Sequence, residues 1–102
     1  MPQSPARVRY DKVATRVGEI LHYLWDPIGV VRYPQARDEY DSYVPQVVEL
    51  LVQEKKKEEI AAHLSRIEKE RMGLAVTSRA RTHAAKVAGI LVENYEWLEK
   101  RG

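Results

Sequence analysis

Three carboxylates and two phenols fall within six consecutive positions of this chain, in the order Asp38-Glu39-Tyr40-Asp41-Ser42-Tyr43. Asp38 and Asp41 are three residues apart, so on a helix they project from the same face. Two such carboxylates could bind a hard divalent cation or share a proton for acid–base chemistry. They could equally form an acidic surface that binds another protein, or be acids that the first turn of a helix stabilises.

A protein-binding surface is the interpretation that we favour for this stretch. Rigid amphipathic tyrosine rings give contact area at low entropic cost, so tyrosines placed beside acids suit protein interfaces. We expect Tyr40 to lie in the core and Tyr43 at the surface. The predicted contact surface consists of Trp25, Asp26, Gly29, Asp38, Glu39, Asp41 and Tyr43.

A second unusual stretch, Trp25-Asp26-Pro27-Ile28-Gly29-Val30, precedes these acids. Trp25 is expected to anchor the core at the end of the first helix, with its indole N–H bonded to a nearby carbonyl. Asp26 is expected to bond the backbone amides of Ile28 or Gly29 and so cap the turn. Gly29 allows a positive φ or a close backbone approach. The pattern indicates a structural turn, and a functional loop is the alternative that places it on the contact surface.

Nothing else in the sequence indicates catalysis or metal binding. His22, His63 and His83 lack the spacing of a helical metal site, so we expect structural or surface roles for them. The chain has no GxSxG motif, no phosphate-binding glycine loop and no cysteine. We therefore expect a protein that is not an enzyme and has no cofactor or metal. The alternative is a small metal- or ligand-binding protein or enzyme that uses Asp38 and Asp41 with His22.

Length and charge agree with a single helical domain over residues 1–102, of which residues 1–4 are expected to form a flexible tail. The net charge of +2 is too small to indicate nucleic acid. Residues 35–54 contain five acidic side chains and one basic, whereas residues 55–81 contain eight basic and four acidic. The basic start of the last helix makes a nucleic-acid accessory protein a second alternative, although no aromatic residues interleave its bases.

Location is predicted from what the sequence lacks. No apolar run approaches the roughly 20 residues of a membrane span, and the N-terminus has no apolar signal-peptide core. The lack of cysteine fits a reducing compartment. We therefore expect a cytoplasmic protein that does not associate with a membrane.

Apolar periodicity and breaker residues predict the first two helices. The first begins at Ser4-Pro5 and ends at Asp26-Pro27. The second extends from Ala36 to Gln53, where the internal Pro45 predicts a kink or a break. The apolar stripe of the first helix consists of Val13, Val17, Ile20, Leu21 and Leu24.

The second half of the chain predicts two further helices. The third extends from Glu58 to Arg71 and is followed by Gly73 in left-handed conformation. Thr77 or Ser78 caps the last helix, whose apolar face is rich in alanine. The fold class is therefore all-α, a small antiparallel bundle of four to five helices with one kinked or broken near Pro45. An alanine-rich face could also meet a second copy of the chain, so a homo-oligomer is left open.

The pattern W-D-P-I-G-V followed by D-E-Y-D-x-Y, over residues 25–43, resembles a family of small bacterial helical proteins of unknown function. Residues 58–64 and 72–74 extend the resemblance, which covers roughly residues 20–75 and brings no catalytic residue. Some members of this family are associated with toxin–immunity systems. The resemblance therefore implies an immunity-like role, in which the acidic surface binds a basic toxin.

Overall fold

The computed structural model describes residues 5–26 and 36–101, with side chains described for residues 10–26 and 38–100. These ranges contain four α-helices and no strand, so the predicted all-α class is confirmed. A π-helical turn, Leu21–Trp25, follows the first helix directly, and we name it the π turn. The four α-helices are α1 (Pro5–Ile20), α2 (Ala36–Val52), α3 (Lys57–Glu70) and α4 (Ser78–Arg101).

Pro45 lies inside a continuous helix. α2 runs through it from Ala36 to Val52, so the break considered at Pro45 does not occur. Because proline has no backbone N–H, the carbonyl oxygen of Asp41 lacks its helical hydrogen bond at this turn. A bend of the helix axis at Pro45 stays a prediction. The predicted tail at residues 1–4 lies outside the described residues.

The connection between α3 and α4 uses the two cap residues that the sequence predicts. Gly73 has a φ of 67°, a left-handed conformation that glycine adopts without a steric penalty. The backbone N–H of Leu74 donates to the carbonyl oxygen of Glu68 over 2.8 Å and draws the chain back along α3. Oγ1 of Thr77 accepts a hydrogen bond of 3.1 Å from the N–H of Ala80, which makes Thr77 the N-cap of α4.

The core forms where α1 packs against α2 and α3 packs against α4, with α1 also packed against α4. Ala84 and Ala88 are fully buried on α4, and their short side chains let neighbouring helices approach closely. No helix in the described ranges is both long and apolar enough to cross a membrane. The largest fully buried side chains are Trp25, Tyr40, Leu21, Ile60, Leu64 and Leu91.

The predicted apolar stripe of α1 is wrong at its last position. Leu24 is 45% exposed, whereas Leu21 and Trp25 are buried. In an α-helix, residues 21 and 24 share a face. The π turn joins residues five apart and rotates less per residue, so Trp25 takes the buried place. The prediction assumed an unbroken period of 3.6 residues.

Candidate functional site

The π turn is held by a backbone hydrogen bond and by the side chain of His83. The N–H of Asp26 donates to the carbonyl oxygen of Leu21 over 3.0 Å, and Asp26 itself is left-handed, with a φ of 30°. Nε2 of His83 lies 2.7 Å from the carbonyl oxygen of Leu24 and 3.2 Å from that of Trp25. Since both partners are acceptors, Nε2 carries the proton and donates. His83 of α4 therefore satisfies carbonyls that end the helix.

Trp25 anchors the core, as predicted, but through a different partner. Its side chain is 2% exposed, and its Nε1–H donates to Oε2 of Glu68 on α3 over 3.2 Å. The acceptor is thus a buried carboxylate and not the backbone carbonyl that we expected. Glu68 is 6% exposed, so this hydrogen bond compensates part of the cost of burying its carboxylate.

Asp26 is held by an aromatic neighbour. The hydroxyl of the fully buried Tyr40 donates to Oδ1 of Asp26 over 2.9 Å. The ring of Tyr40 packs against the rings of Trp25 and His22, with centroid distances of 5.6 Å and 5.5 Å. The predicted position of Tyr40 in the core is confirmed, and Asp26 and the π turn are fixed to α2.

His22 and Asp41 form a short polar contact in this site. Nε2 of His22 lies 2.7 Å from Oδ1 of Asp41, and the exposed fraction of the side chain is 10% for His22 and 64% for Asp41. Nδ1 of His22 is buried and has no hydrogen-bond partner among the described residues. Because the carboxylate accepts, Nε2 carries the proton.

Tyr43 is buried at 5% exposure, so its predicted place at the surface is wrong. Its ring packs edge-on against Trp25, with the centroids 6.2 Å apart. Its hydroxyl donates to Oε1 of Glu39 over 2.8 Å. Burial, followed by this hydrogen bond and the charge of Glu39, raises the pKa of Tyr43 to about 12, and Arg71 opposes the shift.

The exposed part of the site surrounds Tyr23. This side chain is 73% exposed, more than any other large hydrophobic residue among those described. It lines an open groove of about 500 Å³ together with Glu19, His22 and Asp41. Asp38 is exposed one helical turn before Asp41. We name Tyr23, Glu19, Asp38 and Asp41 the Tyr23 surface.

The predicted contact residues divide by burial. Trp25 and Tyr43 belong to the core and cannot form an exposed contact surface, because the π turn and α2 direct both rings inward. Asp26 is half-buried and accepts a hydrogen bond from Tyr40. Gly29 lies outside the described residues, as do the amides that Asp26 was expected to bond.

Two of the three predicted surface acids of α2 are exposed. Asp38 and Asp41 are exposed, whereas Glu39 is half-buried and bonded to Tyr43. In the described ranges no three His, Asp or Glu side chains converge to hold a metal ion.

Sequence reasoning missed four residues of this site. Glu19 of α1 and Tyr23 of the π turn are four positions apart along the predicted first helix, and this spacing could have identified them as neighbours. Glu68 and His83 gave no such signal, because each contacts the π turn across more than forty residues of chain.

Comparison with family models, with curated proteins and with solved structures found no match for this chain. The resemblance to small bacterial proteins of unknown function therefore stays a prediction. Function has to be argued from the geometry of the site.

Proposed function

We propose that this protein is a non-enzymatic module that binds another protein through the Tyr23 surface. The observation that carries this proposal is a tyrosine side chain, 73% exposed, that lines a groove with the carboxylates of Glu19 and Asp41, while Asp38 is exposed one helical turn before Asp41. Burying the ring against a partner removes apolar area from water, and tyrosine is enriched at interface centres. The carboxylates favour a partner with basic groups and accelerate its approach.

Hydrogen bonds to neighbouring residues order part of the Tyr23 surface, and this lowers the conformational entropy that is lost on binding. The hydrogen bond from His22 fixes the carboxylate of Asp41, and His83 fixes the π turn that carries Tyr23. Groups that are already ordered lose less conformational freedom when a partner binds. π-helical turns are also frequent at functional sites, where they redirect side chains.

A bacterial origin, a cytoplasmic location and an immunity-like role belong to the same proposal. They are supported by the resemblance of residues 25–43 to small bacterial proteins and by the lack of cysteine in the sequence. A basic toxin would be one partner that the acidic Tyr23 surface fits.

The proposal predicts loss of the partner when the surface charge is reversed. Tagged wild-type protein is used to capture partners from the native cell, and bound proteins are identified by mass spectrometry. Asp38→Lys with Asp41→Lys should lose a stoichiometric partner, because the carboxylates that face its basic groups become cations. Glu70→Lys with Glu96→Lys changes the net charge equally at exposed positions on α3 and α4 and should retain it.

One further measurement tests the folding of the variants, and one further variant tests the contribution of the Tyr23 ring. Far-UV circular dichroism establishes that each variant keeps its helical content. Tyr23→Ser removes the ring without changing the charge and should also weaken capture. A partner that binds Tyr23→Ser and the Asp38→Lys, Asp41→Lys protein as well as it binds the wild type would exclude the Tyr23 surface as the contact.

A metal- or ligand-binding role is the second candidate, and the 2.7 Å contact between His22 and Asp41 is the observation that favours it. We rank it second because Nδ1 of His22 is buried and no third ligand converges on the pair among the described residues. A cation that binds the native state must raise the melting temperature of chelator-treated protein. A rise that Asp41→Asn abolishes would favour this candidate over the first.

A further inference from the structure

A second groove, larger than the one beside Tyr23, lies between α3 and the connection that follows it. We name it the α3 groove, and its volume is about 690 Å³. Ala62 and Ala75 are exposed, so apolar surface remains available to an occupant. The apolar part of the lining, which we call the floor of the groove, consists of Ala61, Ala62, Leu74, Ala75 and Val76.

Three cations also line the groove. Arg66 and Lys69 line the groove from α3, and Arg81 lines it from the start of α4. All three are exposed, and none forms an ion pair with a described carboxylate. Glu58 contributes an opposing charge at one end. An apolar floor with cations beside it suits an apolar group that is itself flanked by carboxylates.

The same chain presents such a group. The Tyr23 surface is an exposed aromatic ring flanked by carboxylates, so it is opposite in charge to the α3 groove and offers an apolar group to its apolar lining. We propose that Tyr23 of one copy inserts into the α3 groove of a second copy, with the acids of one facing the cations of the other. This inference rests on the proposed function, because it assigns a particular partner to the Tyr23 surface.

The contact is assigned to two copies because the two grooves share no lining residue within one chain. The α3 groove is lined from α3 to the start of α4, whereas Tyr23 lines its groove with residues of α1, the π turn and α2. The surfaces are unlike each other, so the contact is heterologous: it either extends head to tail or closes when two copies exchange tyrosines. Its ionic pairs are exposed and individually weak, so association should depend on concentration and on salt.

Sedimentation velocity of the full chain tests the contact. At low salt and protein concentrations up to about 1 mM, where even weak contacts are populated, the wild type should sediment as a dimer or a larger species. It should become monomeric at about 1 M salt, where the Debye length falls to about 3 Å. Lys86→Glu with Lys100→Glu changes exposed charges elsewhere on α4 and should associate like the wild type.

Mixing two variants distinguishes this contact from any other mode of association. Tyr23→Ser keeps the cationic groove but lacks the ring, and Arg66→Glu with Lys69→Glu keeps the ring but reverses two of the cations of the groove. Each should be monomeric alone, and both should keep the circular dichroism of the wild type. Their mixture retains one ring and one groove, so it should form a one-to-one dimer that does not grow further.

Two results would overturn the inference. One is a wild type that stays monomeric across the concentration range at low salt. The other is association that survives both variants or that mixing fails to restore. A monomeric wild type whose partner is still lost with Asp38→Lys and Asp41→Lys would overturn self-association alone and leave the proposed function standing.

Discussion

Burial and a neighbouring carboxylate make the phenol of Tyr43 harder to ionise. Both raise its pKa in the folded protein to about 12, against 10.0 for an unperturbed tyrosine. The folded state therefore binds this proton more tightly than the unfolded state. The contribution to stability is complete below pH 10 and is lost as the pH rises toward 12.

This shift predicts a stability difference in alkali. Urea unfolding of the wild type should give a free energy of unfolding that falls as the pH rises above 10, because the unfolded state releases the proton of Tyr43 first. Tyr43→Phe should reduce that slope. Tyr10→Phe, at a 46% exposed position, is the matched control. Equal slopes in all three proteins would contradict the assignment of the proton to Tyr43.

At the residue scale, the sequence predicted burial better than it predicted partners. A tryptophan at the end of an amphipathic helix indicates a core anchor, and Trp25 is one. Its acceptor could not be predicted, since Glu68 is 43 positions away and lies in an acidic and basic run typical of a solvated helix. The burial of Tyr43 was missed for a related reason, because its ring packs against Trp25 of the π turn, a contact between two helices that the sequence does not reveal.

The π turn is the element that organises the candidate site. It turns Leu21 and Trp25 inward and leaves Tyr23 exposed. Residues five apart are bonded in such a turn, so no pattern of period 3.6 reveals it in advance. The other elements were predictable: the bounds of α2 and α3 agree with the sequence within one residue, and Thr77 caps α4 as expected.

Removing the His83 imidazole should destabilise the π turn. His83→Ala leaves the carbonyl oxygens of Leu24 and Trp25 without this donor and should cost about 1 kcal/mol of unfolding free energy. Hydrogen exchange at the amide of Asp26 should also accelerate, because that amide closes the turn. Lys86→Ala, an exposed change one turn further along α4, is the control. Identical exchange at Asp26 in the two variants would show that His83 does not hold the turn.

At the scale of the whole molecule, the polar contacts connect helix pairs that the chain itself keeps apart. α1 with α2 and α3 with α4 are the neighbours along the sequence, and the hydrogen bonds of Trp25 and His83 link the first pair to the second. The body measures 44 × 29 × 18 Å, so its core is thin in one direction.

Trp25 provides a probe for this connection. The chain has two tryptophans, and Trp97 is 53% exposed, so Trp97→Phe leaves a single buried indole. Its fluorescence should move to longer wavelength on unfolding, and the transition should coincide with the loss of helical circular dichroism if the helix pairs unfold together. Fluorescence that changes at a lower urea concentration would show that the two pairs separate before their helices melt.

Five residues fill the π turn where four would fill a turn of α-helix, so this helix contains in effect one inserted residue. A relative without that residue could keep the same core on an uninterrupted helix. Aligning it would require a one-residue gap between Ile20 and Asp26, inside a helix, where alignments ordinarily penalise gaps. Without the gap, Trp25 would be paired with a position of the wrong face. Relatives of this chain are therefore best sought with a gap permitted at the π turn.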